Sequence, residues 1–220
     1  MHELTSAAVA LMVCVAAGSY LAGCCNGAII TSFLFYHDDI RKHGSHNAGL
    51  TNFYRVYGGK FAVCVILIDM LKAFVAVKLG SIVFGEYLGL RLEGEYFSAL
   101  FCVIGHIFPA FYSFKGGKGI LCSGTLLTLT LLLDWRIAAV GWGLFLLLWL
   151  TTRYVSLGSV TGAFSFPVTT LLFFRGNWTV FALSLAIAAL VIWAHRSNIG
   201  RLLHGTESRF QWHTNGPGRS

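Results

Sequence analysis

The stretch LTSAAVALMVCVAAGSYLAGCCNGAIITSFLF, residues 4–35, contains no charged side chain and stops at His37-Asp38-Asp39. A helix needs roughly 20 apolar residues to cross bilayer hydrocarbon, so this run spans with residues to spare. It is too long for a secretory leader and lacks the basic start of one, so it is expected to stay attached. Working outward, further apolar runs cover residues 61–79, 97–114, 120–133, 137–152, 155–174 and 180–194. Only the run 61–79 is broken by charge, at Asp69, Lys72 and Lys78. The composition agrees: 56% of the 220 residues are hydrophobic and 11% charged, where a soluble domain has roughly 45–50% and about 25%. So few charges could not cover a soluble surface. The expected fold is an all-α integral membrane protein with about seven transmembrane helices. It forms a single polytopic domain over residues 1–208, with a short polar C-terminal tail at 209–220.

Charge placement orients it. Arg41, Lys42, Arg55 and Lys60 fall in the first loop, Lys115 and Lys118 in the third, Arg153 in the fifth, and Arg196, Arg201, Arg209 and Arg219 in the tail. The alternate loops hold Arg91, Arg136 and Arg175 beside Glu86, Glu93, Glu95 and Asp134. Positive charge stays on the cytoplasmic side, which puts the N-terminus outside and the C-terminus in the cytoplasm. The net charge of +7 is thus a sided feature, and no nucleic-acid partner is expected. Cys14, Cys24, Cys25, Cys64, Cys102 and Cys122 lie in apolar segments without metal-ligand spacing and read as small buried hydrophobes. Neither a metal nor a cofactor is expected.

The cytoplasmic loops carry the chemistry. Gly44-Ser45-His46-Asn47-Ala48-Gly49-Leu50-Thr51-Asn52 leads through Arg55 to Gly58-Gly59-Lys60. Gly105-His106-Ile107-Phe108-Pro109 precedes Lys115-Gly116-Gly117-Lys118-Gly119. Arg153-Tyr154-Val155-Ser156-Leu157-Gly158-Ser159 and His195-Arg196-Ser197-Asn198-Ile199-Gly200-Arg201-Leu202 follow. Glycine lets backbone N–H groups turn inward to form an anion nest, and Ser, Thr, Asn, Lys and Arg add donors and charge. Basic residues at cytoplasmic span ends are also expected from topology alone, and membrane glycines from helix packing. Two lysines within one glycine turn repel each other, so a bound anion explains them better. Asp69 and Lys72, one helical turn apart, can neutralise each other inside the second span. Other catalytic patterns fail: Gly119 follows Lys118 where a phosphate-binding loop needs Ser or Thr, and the GxSxG and HExxH motifs are missing. No histidine has an Asp five positions later.

In order and content these segments resemble the bacterial acyl-phosphate:glycerol-3-phosphate acyltransferases, the PlsY family. The resemblance runs from Gly23 to Glu207, ending on Gly205-Thr206-Glu207. It departs at Gly23-Cys24-Cys25-Asn26, at His46, where the family's first loop usually has glycine, and at Leu50, where it has alanine. It implies a multi-pass protein of the bacterial inner (cytoplasmic) membrane with its active site facing the cytoplasm. The implied reaction moves a fatty acyl group from acyl phosphate to the 1-hydroxyl of glycerol 3-phosphate. Lysophosphatidate and phosphate result, in the first acylation of phospholipid synthesis. The implied partners are acyl phosphate, glycerol 3-phosphate and the lipid bilayer, and a monomer suffices.

On that resemblance Arg55, Lys60 and Lys118 take the phosphate of glycerol 3-phosphate. Ser45, Asn47, Thr51, Asn52 and the backbone of Gly116, Gly117 and Gly119 hold the acyl phosphate, and His106 and Lys115 are further substrate-binding residues. Ser156 and Ser159 complete the polar floor, and Glu207 restrains a cation. His195 and Asn198 bind glycerol hydroxyls and, with Lys118 and Ser156, form the catalytic group. The base is left open between His195, His106 and a substrate phosphate oxygen. A membrane transporter of a phosphorylated metabolite is the alternative, since glycine-interrupted spans and cationic loops suit that function too.

Overall fold

The computed structural model describes residues 6–129 and 134–211, and within them the chain is helical with no strand. The run 4–35 forms two helices, α1 (Ser6–Cys24) and α2 (Gly27–Tyr36). The break is a capping event. Asn26 takes an extended backbone, and its Oδ1 accepts from the Ile29 N–H at 3.0 Å, starting α2. The carbonyls stranded at the end of α1 would be costly in an apolar setting. Lys72 serves them, its Nζ donating to Gly23 O at 3.1 Å and Cys25 O at 2.8 Å.

After a 3-10 turn at Ile40–Lys42, the amphipathic α3 (Leu50–Tyr57) lies across the loop end of the bundle. α4 (Ala62–Leu88) runs 27 residues, beyond the apolar run read from sequence, a length of about 40 Å at 1.5 Å per residue. Its faces divide cleanly: Leu67, Leu71, Phe74 and Ile82 are exposed, while Asp69, Lys72, Ala76 and Gly80 are buried. The exposed stripe suits lipid, and the paired charges turn inward. Asp69 and Lys72 form the expected ion pair, at 2.7 Å.

α5 (Arg91–Ile107), a 3-10 turn at Ala110–Tyr112, α6 (Ile120–Leu129), α7 (Trp135–Thr152), α8 (Val155–Phe173), α9 (Trp178–Ala194) and α10 (Arg196–Leu203) complete the order. The run predicted over 120–133 is described as far as Leu129. α10 bends 59° away from α9. Among the described residues, four stretches are long and apolar enough to cross a membrane: Ser6–Tyr36, Arg91–Tyr112, Trp135–Thr152 and Val155–Phe173. The α9–α10 pair makes a fifth if it is one broken span. α4 falls outside that group because Asp69, Lys72, Lys78 and Glu86 interrupt it.

The helices cross closely where glycine removes the side chain. A Cβ on Gly23 would lie 2.2 Å from Cys102 O, and one on Gly105 would lie 2.1 Å from Tyr20 O. α1 and α5 therefore meet backbone to backbone, the packing small residues permit in membranes. Tyr96, Phe166, Ile137, Val180 and Ile187 form the main core between α5, α7, α8 and α9. A second cluster of Ile29, Ile40, Ala48, Phe53 and Val65 braces the loops above α2 and α4. Contacts continue past the expected boundary at residue 208. Phe210 N–H donates to Arg153 O at 2.8 Å, and the Arg209 guanidinium lies over Tyr154. Residues 212–220 of the expected tail lie outside the described residues.

Candidate active site

The first glycine loop is held by one side chain. Asn52 Nδ2 donates to His43 O at 3.0 Å and Asn47 O at 3.1 Å, while its Oδ1 accepts from Ser45 N–H at 2.8 Å. Gly44 turns at φ 58, and a Cβ there would sit 2.3 Å from Asn52 Oδ1. Asn52 is buried and lines the cavity, with its amide engaged in these loop bonds. His46, one of the departures from the resemblance, adopts φ 57. That is the left-handed region which favours glycine. Ser45, Asn47, Thr51 and Arg55 are left to face a cavity of about 500 Å³.

The second loop corrects a larger expectation. Gly116 N–H donates to Ile107 O at 3.1 Å, and Gly117 N–H donates to His106 O at 3.0 Å. These donors cap the end of α5 and are not available to an anion. The glycines are needed for proximity: a Cβ on Gly116 would lie 2.0 Å from His106 O, and one on Gly117 2.1 Å from His106 Nε2. Lys115 is exposed and does not line the cavity. Gly119 does, and so does Lys118, whose ammonium donates to Asn198 Oδ1. Lys60, expected at the phosphate, is also outside, with its ammonium 5.1 Å from the Phe61 ring.

His106 reaches the cavity floor but not as an unengaged base. Its Nδ1 lies 2.9 Å from Lys72 Nζ and 3.5 Å from Asp69 Oδ1, and its Nε2 abuts Gly117. Asp69, His106 and Cys122 are close enough to share a metal ion. The Lys72 ammonium, however, already contacts both the carboxylate, at 2.7 Å, and the imidazole, at 2.9 Å.

The opposite wall comes from α8 to α10. Ser159 Oγ donates to Val155 O at 2.9 Å, and Ser156 Oγ donates to Glu207 Oε1 at 2.8 Å. Asn198 Nδ2 donates to the same oxygen at 2.7 Å, and Arg201 Nε donates to Glu207 Oε2 at 2.7 Å. Burial pushes the Glu207 carboxyl up, but these three donors outweigh it and hold it below the usual range. His195 sits at the α9–α10 bend, where its Nδ1–H donates to Val191 O at 2.8 Å. A carbonyl accepts only, so the outward Nε2 keeps its lone pair. Burial lowers the His195 pKa to about 4, so the ring is neutral near pH 7. Lys118 falls to about 8 because it is buried, with Arg201 and Arg55 adding repulsion against the pull of Glu207.

Arg55, Lys118 and Arg201 thus converge on one cavity with Ser156, Ser159, His195, Asn198 and Glu207. Arg201 was named in the tail motif but given no site role from sequence, although it stands three positions after Asn198 on α10, on the same face. Sequence reasoning also missed Trp142 and Phe145 of α7. They line this cavity and an adjoining apolar cleft between α6, α7, α8 and α9.

The profile of the family described as glycerol-3-phosphate acyltransferase matches residues 13–205. The chain belongs to that family. A glycerol-3-phosphate acyltransferase of Finegoldia magna is 42% identical over 190 residues, 86% of this chain and 91% of that one. One from Thermoanaerobacter sp. strain X514 is 41% identical over 192 residues, 87% and 91% of the two chains. The crystal structure of PlsY (YgiH), an integral membrane glycerol 3-phosphate acyltransferase, in its glycerol 3-phosphate form superposes with a TM-score of 0.78. That match has 31% identity and covers 91% of this chain and 96% of that one. The lysophosphatidic acid form of PlsY superposes with a TM-score of 0.74 at 30% identity, covering 91% and 95%. With these relatives and its apolar helices, the chain is an integral membrane member of the PlsY family.

Proposed function

We propose that this protein transfers a fatty acyl group from acyl phosphate to the 1-hydroxyl of glycerol 3-phosphate, giving lysophosphatidate and phosphate. The observation that carries the reading is the convergence of three cations on one polar cavity, which shares Trp142, Phe145, Ile120 and Ser159 with an apolar cleft. Two phosphate groups and an acyl chain need both environments side by side. Acyl phosphate is already activated, so the protein's task is to hold two anions together and offset their repulsion.

Arg55 and Lys118 take the phosphate of glycerol 3-phosphate. Ser45, Asn47, Thr51 and Gly119 line the wall where the acyl phosphate lies. Asn198 shares its amide between Lys118 and Glu207, and its carbonyl retains a lone pair for a glycerol hydroxyl. His195 Nε2 accepts from the attacking hydroxyl and aims it. A base of pKa about 4 draws a proton weakly. The leaving phosphate becomes more basic as its bond to the acyl carbon breaks, so it is the better proton acceptor. Serine and cysteine nucleophiles are not required.

The topology belongs to the same proposal. α1–α2, α4, α5, α6, α7, α8 and α9 act as seven spans with the N-terminus outside. The cavity and the C-terminus face the cytoplasm of a bacterial inner membrane. The protein works as a monomer in this reading, and residues 1–208 with Arg209 and Phe210 act as one unit.

The test is purified protein with acyl phosphate and glycerol 3-phosphate, assayed for phosphate and lysophosphatidate together. Equal release of both, with acyl-CoA inert as donor, supports the reading. No turnover from folded protein, with glycerol 3-phosphate uptake into proteoliposomes, moves the assignment to a transporter.

A further inference from the structure

The cavity has two walls built by different parts of the chain. α3, with Thr51 and Arg55, packs on α2, α4 and the 3-10 turn before it. α8, with Ser156 and Ser159, packs on α7, α9 and α10. Across the mouth between them runs the segment after α10. Gly205 turns it at φ 69, Glu207 dips into the cavity, and Phe210 comes back to the rim. The Phe210 ring stacks on Tyr54 of α3, with centroids 5.3 Å apart and planes at 26°. It also meets Trp149 of α7 edge-on, at 5.6 Å and 81°. Tyr54 is backed in turn by Gly59, where a Cβ would lie 3.3 Å from the Tyr54 ring. The strap is pinned beside the ring by Phe210 N–H on Arg153 O at 2.8 Å and by Arg209 over Tyr154.

We infer that Phe210 is a positioning residue: an aromatic strut between Trp149 and Tyr54 that fixes the wall bearing Arg55 against the wall bearing Glu207, and so sets the spacing of the cations that receive the phosphate of glycerol 3-phosphate. The inference rests on the proposed function for the identity of that ligand. Phe210 does not touch the reacting atoms. Its effect passes through Tyr54 to its neighbour Arg55 and through the strap to Glu207, which holds Ser156, Asn198 and Arg201.

The test uses full-length protein in detergent and glycerol 3-phosphate as the calorimetric probe, without acyl donor, followed by steady-state kinetics. Losing the stacking on Tyr54 and the edge contact with Trp149 in Phe210→Ala should weaken glycerol 3-phosphate binding about tenfold and raise its KM alike, with kcat within about threefold. Phe210→Tyr keeps the ring and should restore both values, and the melting temperature should be the same in all three proteins. Binding by Phe210→Ala equal to the parent, or a Phe210→Tyr variant as weak as the alanine, overturns the strut. An equal fall in kcat and melting temperature does so too, because it marks a purely structural role. A parent that binds the probe with these differences but does not turn over removes the proposed reaction and leaves the strut standing. A parent that does not bind it removes both.

Discussion

Removing the Lys118 charge should cost this protein most of its activity. Lys118→Met keeps the apolar stem of the side chain and deletes the ammonium. In the folded protein that ammonium is half-buried, donates to Asn198, and stands near Arg55 and Arg201. Those cations repel it, and burial has already lowered its pKa to about 8. The site therefore holds a charge it has little internal means of balancing, and a substrate phosphate is the group that balances it. Truncating one member of a desolvated charge pair costs about 2–5 kcal/mol, so kcat/KM should fall by roughly 30-fold to several thousandfold. The pH profile gives an independent check with a definite sign. Lys118 is protonated below about 8 and loses its charge as pH rises through that value. The parent kcat/KM for glycerol 3-phosphate should therefore decline above about pH 8, and Lys118→Arg should carry the plateau into more alkaline buffer. The assay is phosphate release at subsaturating glycerol 3-phosphate over pH 5.5–9.5 (a range of roughly four units), chosen because His195 titrates below it. A Lys118→Met protein with a parental melting curve and kcat/KM within about threefold of the parent would refute the assignment.

Arg55→Ala should raise the KM for glycerol 3-phosphate about tenfold while sparing kcat, because Arg55 lines the cavity and makes no hydrogen bond or ion pair within the described residues. Equal losses in kcat and kcat/KM would place it in the chemical step instead. Lys60→Ala should leave both constants within about twofold, since its ammonium sits over Phe61 outside the cavity. A large effect there would mean the cavity boundary is wrong. Ala163→Phe fills the apolar cleft beside Trp142, so long acyl phosphates should lose about tenfold or more in kcat/KM relative to short ones. An unchanged chain-length profile would send the acyl chain elsewhere.

Much of this protein is decided by sequence alone. The charge-free run from residue 4 to 35, and the six apolar runs after it, leave few structures open to a chain in lipid: each backbone group must be satisfied within its own segment, and helices do that. The glycine loops, Lys118, Ser156, His195 and Asn198 are legible too, because their residue types stand close together in short motifs. The break between α1 and α2 was less visible. It depends on Lys72, far along the chain, reaching the carbonyls of Gly23 and Cys25. Tertiary structure alone decides which donors remain for a ligand. In sequence Asn52, Gly116 and Gly117 look like an anion nest, but contacts within the loop and at the end of α5 consume them. Lys60 and Lys115 look equivalent to Lys118, yet only Lys118 turns inward, onto an asparagine 80 positions away. Arg201 and Phe210 enter the site through Glu207 and Tyr54, partners set by how α10 bends from α9 and how the strap crosses the mouth. A motif fixes which groups are near one another along the chain, and the fold fixes which of them still have a hydrogen bond or a charge to give.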